Sequence, residues 1–485
     1  MSTILIIGTG PLYSPEAKVF SGQSLRTWHI TKPLRDAGHA IDLIVIPTDG
    51  YEISSSEPTT TVRYDTFNYT LINSHSPDQV LPVLQSAVDQ KKFDAIIAVN
   101  VNAAAIAARL STKVPMWADL MGHVMGEAQT KSSTYDDDSY VQHFWQRERL
   151  VLRRADRFSV SSHKQMYALL GELGTTGRLG KQTCAHPFVS VIPIGAAEQF
   201  LNMDLQFAER QFRGPVFPED TFAVLWTGGY NTWTDVKTLA AALSLAMEQI
   251  PRMRFISTGG AIPGHDEISY PAFIEEMQRT GFADRCHFLG WIEGQQLPNL
   301  YAECDLGLNL DGLNYETLFG GRIRLTNMMA AGVPVLTTLG TELSEVIAEA
   351  RLGYTVKIGK VQEFADTIHR AFRNPLERRQ LAQRAKNYCR ENFTYEATTR
   401  GLARWAADPA LAPDNLEKVR TNPGVKRPAD VALNPLERES AFLESGGLAE
   451  VERLKSELAQ LKGSGFFKLR EKVHSLKSRK KLFTD

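Results

Sequence analysis

FAVLWTGGYNTWTDVKTLAAALSLAMEQIPRMRFIST, residues 222–258, decides the fold. The apolar run 222–226 reads as a strand and enters Gly228 and Gly229. A helical pattern covers 234–248, and MRFIST, 253–258, reads as the next strand. Strand, glycine turn, helix and strand make the unit of a parallel sheet covered on both faces. Thr234 suits the N-cap of that helix. The turn would aim backbone amides at an anion. The plainer reading is a capped helix after a turn, with Trp226 and Trp233 in the core.

The alternation continues in both directions. Downstream, 286–290, 306–310, 334–338 and 353–358 read as strands, with helices near 271–280, 297–302 and 322–331. Upstream, 3–7, 41–46, 94–99, 157–161 and 189–196 read as strands. Helices fall at 24–37, across 86–90 and at 142–155. The expected fold class is α/β, with two Rossmann-like doubly wound domains facing a cleft at the carboxyl ends of their strands. Residues 1–205 form the first domain and 206–390 the second. A closing helix at 391–407 follows. Five prolines between 408 and 440 mark a linker, 408–445, before a basic helical tail, 446–485.

A net charge of −1 over 485 residues gives no basic field for nucleic acid. Cys184, Cys286, Cys304 and Cys389 lie far apart and lack metal-ligand spacing, so neither zinc nor another metal is expected. The N-terminal apolar run is too short for a signal peptide, and no run of about 18 apolar residues occurs. The expectation is a cytoplasmic protein. The dinucleotide fingerprint fails as well. After Gly8 and Gly10 its third glycine would fall at position 13, which is Tyr.

NYETLFGGRIRLTNMMAAGVPV, 314–335, carries the chemistry. Glu316 can hold sugar hydroxyls. Gly320 and Gly321 let backbone approach a ligand, and the forks of Arg322 and Arg324 suit a diphosphate. The bland alternative, two solvated arginines, fits poorly between a glycine pair and an apolar helix. In the first domain, Gly22 and Gln23 precede a helix. They either cover a phosphate or merely begin an amphipathic segment. Asp119 is expected just beyond a strand. With His123 and Glu127 nearby, it could face the reacting centre, contact sugar or acceptor hydroxyls, or act in acid/base chemistry, although a histidine among loops is more often structural.

These residues resemble the family-4 retaining glycosyltransferases of the GT-B fold, over roughly 3–405. The strand–glycine–helix at 225–243 is similar to the segment holding the donor diphosphate. HFLGWIEGQQLPNLYAECDLGLNL, 287–310, resembles the segment in which the backbone at Trp291 and Ile292 meets the nucleobase. ETLFGGRIRLTNMMAAGVPV resembles the donor segment written E-x7-E. The closing helix resembles the one that crosses back to the first domain. Three departures stand out. Gly229 and Thr234 occupy the places of the family's diphosphate-gripping Arg and Lys. Asn327 occupies the place of the second Glu, which holds the ribose. Glu316 stands eleven positions before it rather than eight. A subgroup with W-x-G-G and R-x-R-L patterns, chiefly bacterial surface-polysaccharide or secondary-metabolite enzymes, shares this look. In it Arg322 and Arg324 are expected to take over the diphosphate.

The resemblance implies retaining transfer from a nucleotide-sugar donor to a hydroxyl acceptor, without cofactor or metal, in surface polysaccharide or glycoconjugate synthesis. Two alternatives remain: a nucleotide-sugar epimerase or pseudo-glycosyltransferase, and a non-catalytic GT-B-like subunit that binds a partner. The tail has seven Lys/Arg against two acids over 464–485. It suits an anionic membrane surface at the inner face, where a lipid-linked acceptor would reside, or a homo-oligomer.

Overall fold

The computed structural model describes residues 1–14, 21–48, 50–53, 55–203, 210–431 and 453. The first sheet comprises β1 (Thr3–Gly10), β2 (Ala40–Pro47), β3 (Thr59–Tyr64), β4 (Phe67–Ile72), β5 (Ala95–Val99), β6 (Met116–Leu120), β7 (Arg157–Val160) and β8 (Val189–Val191). Their order is β3-β4-β2-β1-β5-β6-β7-β8. The second comprises β9 (Phe222–Trp226), β10 (Met253–Thr258), β11 (Cys286–Gly290), β12 (Leu306–Asn309), β13 (Val335–Leu339) and β14 (Tyr354–Lys357), in the order β11-β10-β9-β12-β13-β14. All pairings are parallel except β3 with β4.

The central strands are buried on both faces, as their unbroken apolar runs require. Chain order reverses between β1 and β5 in the first sheet and between β9 and β12 in the second. At such switch points the connections diverge and leave a crevice at the carboxyl ends. The two crevices place Gly10 and Asn100 on one side, and Gly228 and Asp311 on the other.

Four expectations need correction. The hairpin of β3 and β4, closed by Asp65 at φ 53° and Thr66, was not anticipated. Its outer strand is largely exposed and lacks an apolar signature. The strand expected over 189–196 stops at Val191, although the Ile192 amide still donates to the Val160 carbonyl at 2.8 Å. The closing helix is three pieces, Pro375–Asn392, Tyr395–Thr398 and Arg400–Ala407. The break follows from Thr394, whose hydroxyl caps a new helix by accepting from the Ala397 amide, and from the Phe393 carbonyl, which accepts from Ala196. The last piece returns to the first domain, where Trp405 packs on Trp117 with ring centroids 5.4 Å apart.

The fourth correction concerns the expected linker, which contains a packed helix, Pro413–Thr421. Arg178 forks onto Asp414, and Asn415 and the Ala412 amide both bond Asp156 at 2.8 Å. Proline-rich composition hid this segment because its anchors are buried polar pairs rather than an apolar stripe. Arg178→Ala leaves Asp414 buried without its partner. The expected loss is about 3–5 kcal/mol in chemical denaturation, with early tryptic cleavage near Lys418 and Arg420. Residues 432–445 of the linker and the basic tail, Arg453 apart, lie outside the described residues. Among the described residues no helix is long and apolar enough to cross a membrane.

Candidate active site

β9 ends at Trp226, and the chain turns through Gly228 at φ 80°. A side chain at Gly228 would meet nothing within 4 Å, so this turn opens on the cleft. Gly228→Ala is therefore expected to cost about 1 kcal/mol, read by thermal unfolding, from backbone strain alone. The following helix, Val236–Gln249, is capped by Asp235 rather than Thr234: Asp235 Oδ1 accepts from the Thr238 amide at 3.0 Å. Thr234 instead accepts from the Asn231 amide and bridges to Asp311.

After β12 the chain passes Asp311 and enters the short helix Tyr315–Phe319, capped by Asn314. Glu316 points inward and meets Arg322 in a bidentate pair at 2.9 and 2.7 Å. Arg322 Nε also reaches both oxygens of Asp311 at 3.1 Å. Gly320 makes room for this triad, because a Cβ there would lie 2.1 Å from Glu316 Oε1. A Cβ at Gly321 would strike Ile194 of the first domain. Burial opposes the charge on Arg322, yet Asp311 and Glu316 together raise its pKa. Burial likewise raises that of Glu316, with Arg322 opposing. Arg322 is thus committed to two carboxylates, which corrects its expected place on the diphosphate. Asp311 was not foreseen at all; only its position in a turn after a strand hinted at it.

Arg324 differs. Its guanidinium lies 4.0 Å from the centroid of the Trp226 ring, and Nη2 donates to the Gly229 carbonyl. Nη1 is buried and has no partner among the described residues. Burial pulls its pKa down to about 10. The side chain is therefore a cation held by a stacked ring and one carbonyl, with a spare donor beside the Gly228–Gly229 turn.

From the first domain, Gly22 opens the helix Gly22–Asp36 and comes against the second domain: a Cβ there would lie 2.7 Å from Ile323 Cδ1. Gln23 Oε1 accepts from Thr9 at 3.5 Å. Asp119 lies inside β6, not after it, and is fully buried. Both its oxygens take Arg26, at 2.8 and 2.9 Å, and Oδ1 takes the Ser159 hydroxyl at 2.6 Å. Arg26 in turn bonds the Ile192 and Pro193 carbonyls. Asp119 is a core ion pair, and its expected place at the reacting centre is corrected. His123 caps the helix Val124–Tyr135, with Nδ1 accepting from the Gly126 amide at 2.9 Å. That bond puts the proton on Nε2, which faces Glu172 Oε1 at 3.2 Å. The ring rests on Phe319 across the cleft.

A family model described as "Glycosyl transferase 4-like domain" matches residues 21–178, and one described as "Glycosyl transferases group 1" matches 221–374. The chain belongs to the family-4-like glycosyltransferases of the GT-B fold. EpsD of Bacillus subtilis (strain 168), which carries a glycosyltransferase designation, is 26% identical over 171 residues. That match spans 35% of this chain and 41% of EpsD. Sucrose-phosphate synthase from Thermosynechococcus elongatus superposes with a TM-score of 0.64 at 17% identity, covering 84% of this chain and 98% of that one. Anabaena HepE, solved in complex with UDP-glucose, superposes with 0.58 at 18% identity, covering 84% and 100%. At these identities the structural likeness is one of fold.

In this family-4-like glycosyltransferase the remaining expected positions divide. Trp291 follows Gly290 (φ 65°) at the end of β11, half-buried, its indole donating to the Ala261 carbonyl at 3.3 Å; Ile292 packs on the core beside it. Asn327 is buried in the helix Ile323–Ala331, and its Oδ1 accepts from the Ala197 amide at 3.3 Å, at the connection between domains. It faces the connection between domains, where it lines a small cavity with Arg26, His29 and Ile323. Among the described residues no group of three or more His, Cys, Asp or Glu could hold a metal ion.

Proposed function

We propose that this protein transfers a sugar from a nucleoside-diphosphate donor to a hydroxyl acceptor with retention of configuration. One observation carries the reading. Arg324 keeps an unpartnered buried donor beside an open glycine turn at the switch point of the second sheet. A buried charged donor without an acceptor is costly, and a diphosphate would satisfy it. The transition state is oxocarbenium-like, so the principal demand on the protein is to stabilise the departing diphosphate. Arg324 and the amides of the turn supply that charge; the reading invokes neither metal nor cofactor. Glu316, held rigid by Arg322, still has lone pairs for donor-sugar hydroxyls. The leaving phosphate accepts the acceptor proton.

The binding of UDP-glucose by HepE supports a nucleotide sugar as the donor class. The W-x-G-G and R-x-R-L patterns support surface polysaccharide or glycoconjugate synthesis. The basic tail supports a lipid-linked acceptor at the inner membrane face. Titration calorimetry with UDP, ADP, GDP and dTDP tests the core of this reading. At least one should bind, and binding of none would remove it.

A further inference from the structure

Glu127 lies one turn into the helix Val124–Tyr135. Its carboxyl folds back over Gly122, where a Cβ would lie 2.3 Å from Oε1; only glycine leaves that space, and its φ of 90° suits no other residue well. The preceding residue, Gly126, abuts the second domain, where a Cβ would lie 3.0 Å from the Glu316 amide nitrogen. The helix therefore delivers Glu127 to the cleft wall opposite Glu316. Glu316 and Arg322 face it from the second domain. Lys131 lies on its own helix, and Glu148 on the neighbouring helix Ser139–Arg154. His123 is occupied with Gly126 and Glu172. Arg322 is committed to its own triad. Among the described residues the Glu127 carboxyl has no hydrogen bond and no ion pair, although it is only partly exposed. Such a group is poorly placed unless a ligand completes it.

We propose that Glu127 is a substrate contact supplied by the first domain, binding the acceptor hydroxyl across the cleft from Glu316. This rests on the glycosyl-transfer reading above. Burial first, then Glu316, push the Glu127 pKa up to about 8. Near neutral pH it is an un-ionised acid that donates one hydrogen bond and accepts another. During transfer the acceptor oxygen bonds the anomeric carbon and the bond from that carbon to the diphosphate breaks. The hydroxyl proton leaves on the departing phosphate, and Glu127 keeps its own. Once ionised, it loses its donor and opposes Glu316.

The test uses full-length wild type, Glu127→Gln and Glu127→Ala with UDP-, ADP- and GDP-glucose, water standing in for the acceptor. Nucleotide release is followed from about pH 6 to about pH 10, and diphosphate binding by calorimetry. Wild-type release should fall above about pH 8. Glu127→Gln should stay within about threefold at neutral pH and lose that fall, whereas Glu127→Ala should drop about tenfold while binding the diphosphate normally. A folding readout accompanies this. The folded chain holds the Glu127 proton between the ordinary value of 4.5 and about 8, where the unfolded chain has lost it, so this group erodes stability as pH rises. Glu127→Gln should therefore melt higher than wild type, increasingly so across that range. An alkaline fall that persists in Glu127→Gln, equal impairment of both variants, or an unimpaired Glu127→Ala overturns the role of Glu127 alone. A wild type that binds no diphosphate and releases none ends the transfer reading, and this role with it. Binding without release ends the role too, since no reactive seat for water then exists beside Glu127.

Discussion

Arg322→Ala unfolds at markedly lower denaturant than wild type, a loss of about 3–5 kcal/mol. The reason is the buried triad. Arg322 is 4% exposed, Asp311 and Glu316 2% each, and the arginine is ion-paired with both acids. Removing it leaves two carboxylates facing each other without water. Part of the loss returns at low pH, where the acids take up protons. Loss of transfer by this variant would therefore track loss of fold. A variant with unchanged midpoint and abolished transfer would mean that Arg322 leaves its carboxylates to hold ligand.

Arg324→Ala behaves in the opposite way. Transfer falls about 10²–10³-fold, the usual cost of removing one donor aimed at developing negative charge. Stability changes by no more than about 1 kcal/mol, because the residue spends a stacked ring and one carbonyl bond to keep an unsatisfied buried cation. Arg324→Lys does not restore the rate, since an ammonium cannot both bond the Gly229 carbonyl in the plane of the fork and present a second donor. Steady-state kinetics beside a melting curve separate the two arginines: one variant loses fold, the other loses rate. Near wild-type transfer by Arg324→Ala would sink its role.

The sequence was most legible where burial is symmetric. β9 and β10 fall on the residues read from their apolar runs, because a strand covered on both faces leaves an unbroken signal. β3 at the sheet edge leaves none, and the helix Pro413–Thr421 is held by ion pairs that pattern reading does not see. The candidate site was legible by type but not by partner. Arg322 and Arg324 look equivalent at i and i+2, yet the helix turns them to opposite environments, one between acids and the other onto Trp226. Asp119 had the right chemistry for a site, but Arg26, 93 positions away, claims it. Only the three-dimensional pairing tells a spent charge from a free one.

Under the proposed function Arg324 anchors the diphosphate. The most direct test of that role is calorimetry of wild type and Arg324→Ala with the same nucleoside diphosphate and with the matching nucleoside. Diphosphate binding should be at least about tenfold weaker in the variant, with nucleoside affinity unchanged. Equal diphosphate affinity in the two proteins would contradict it.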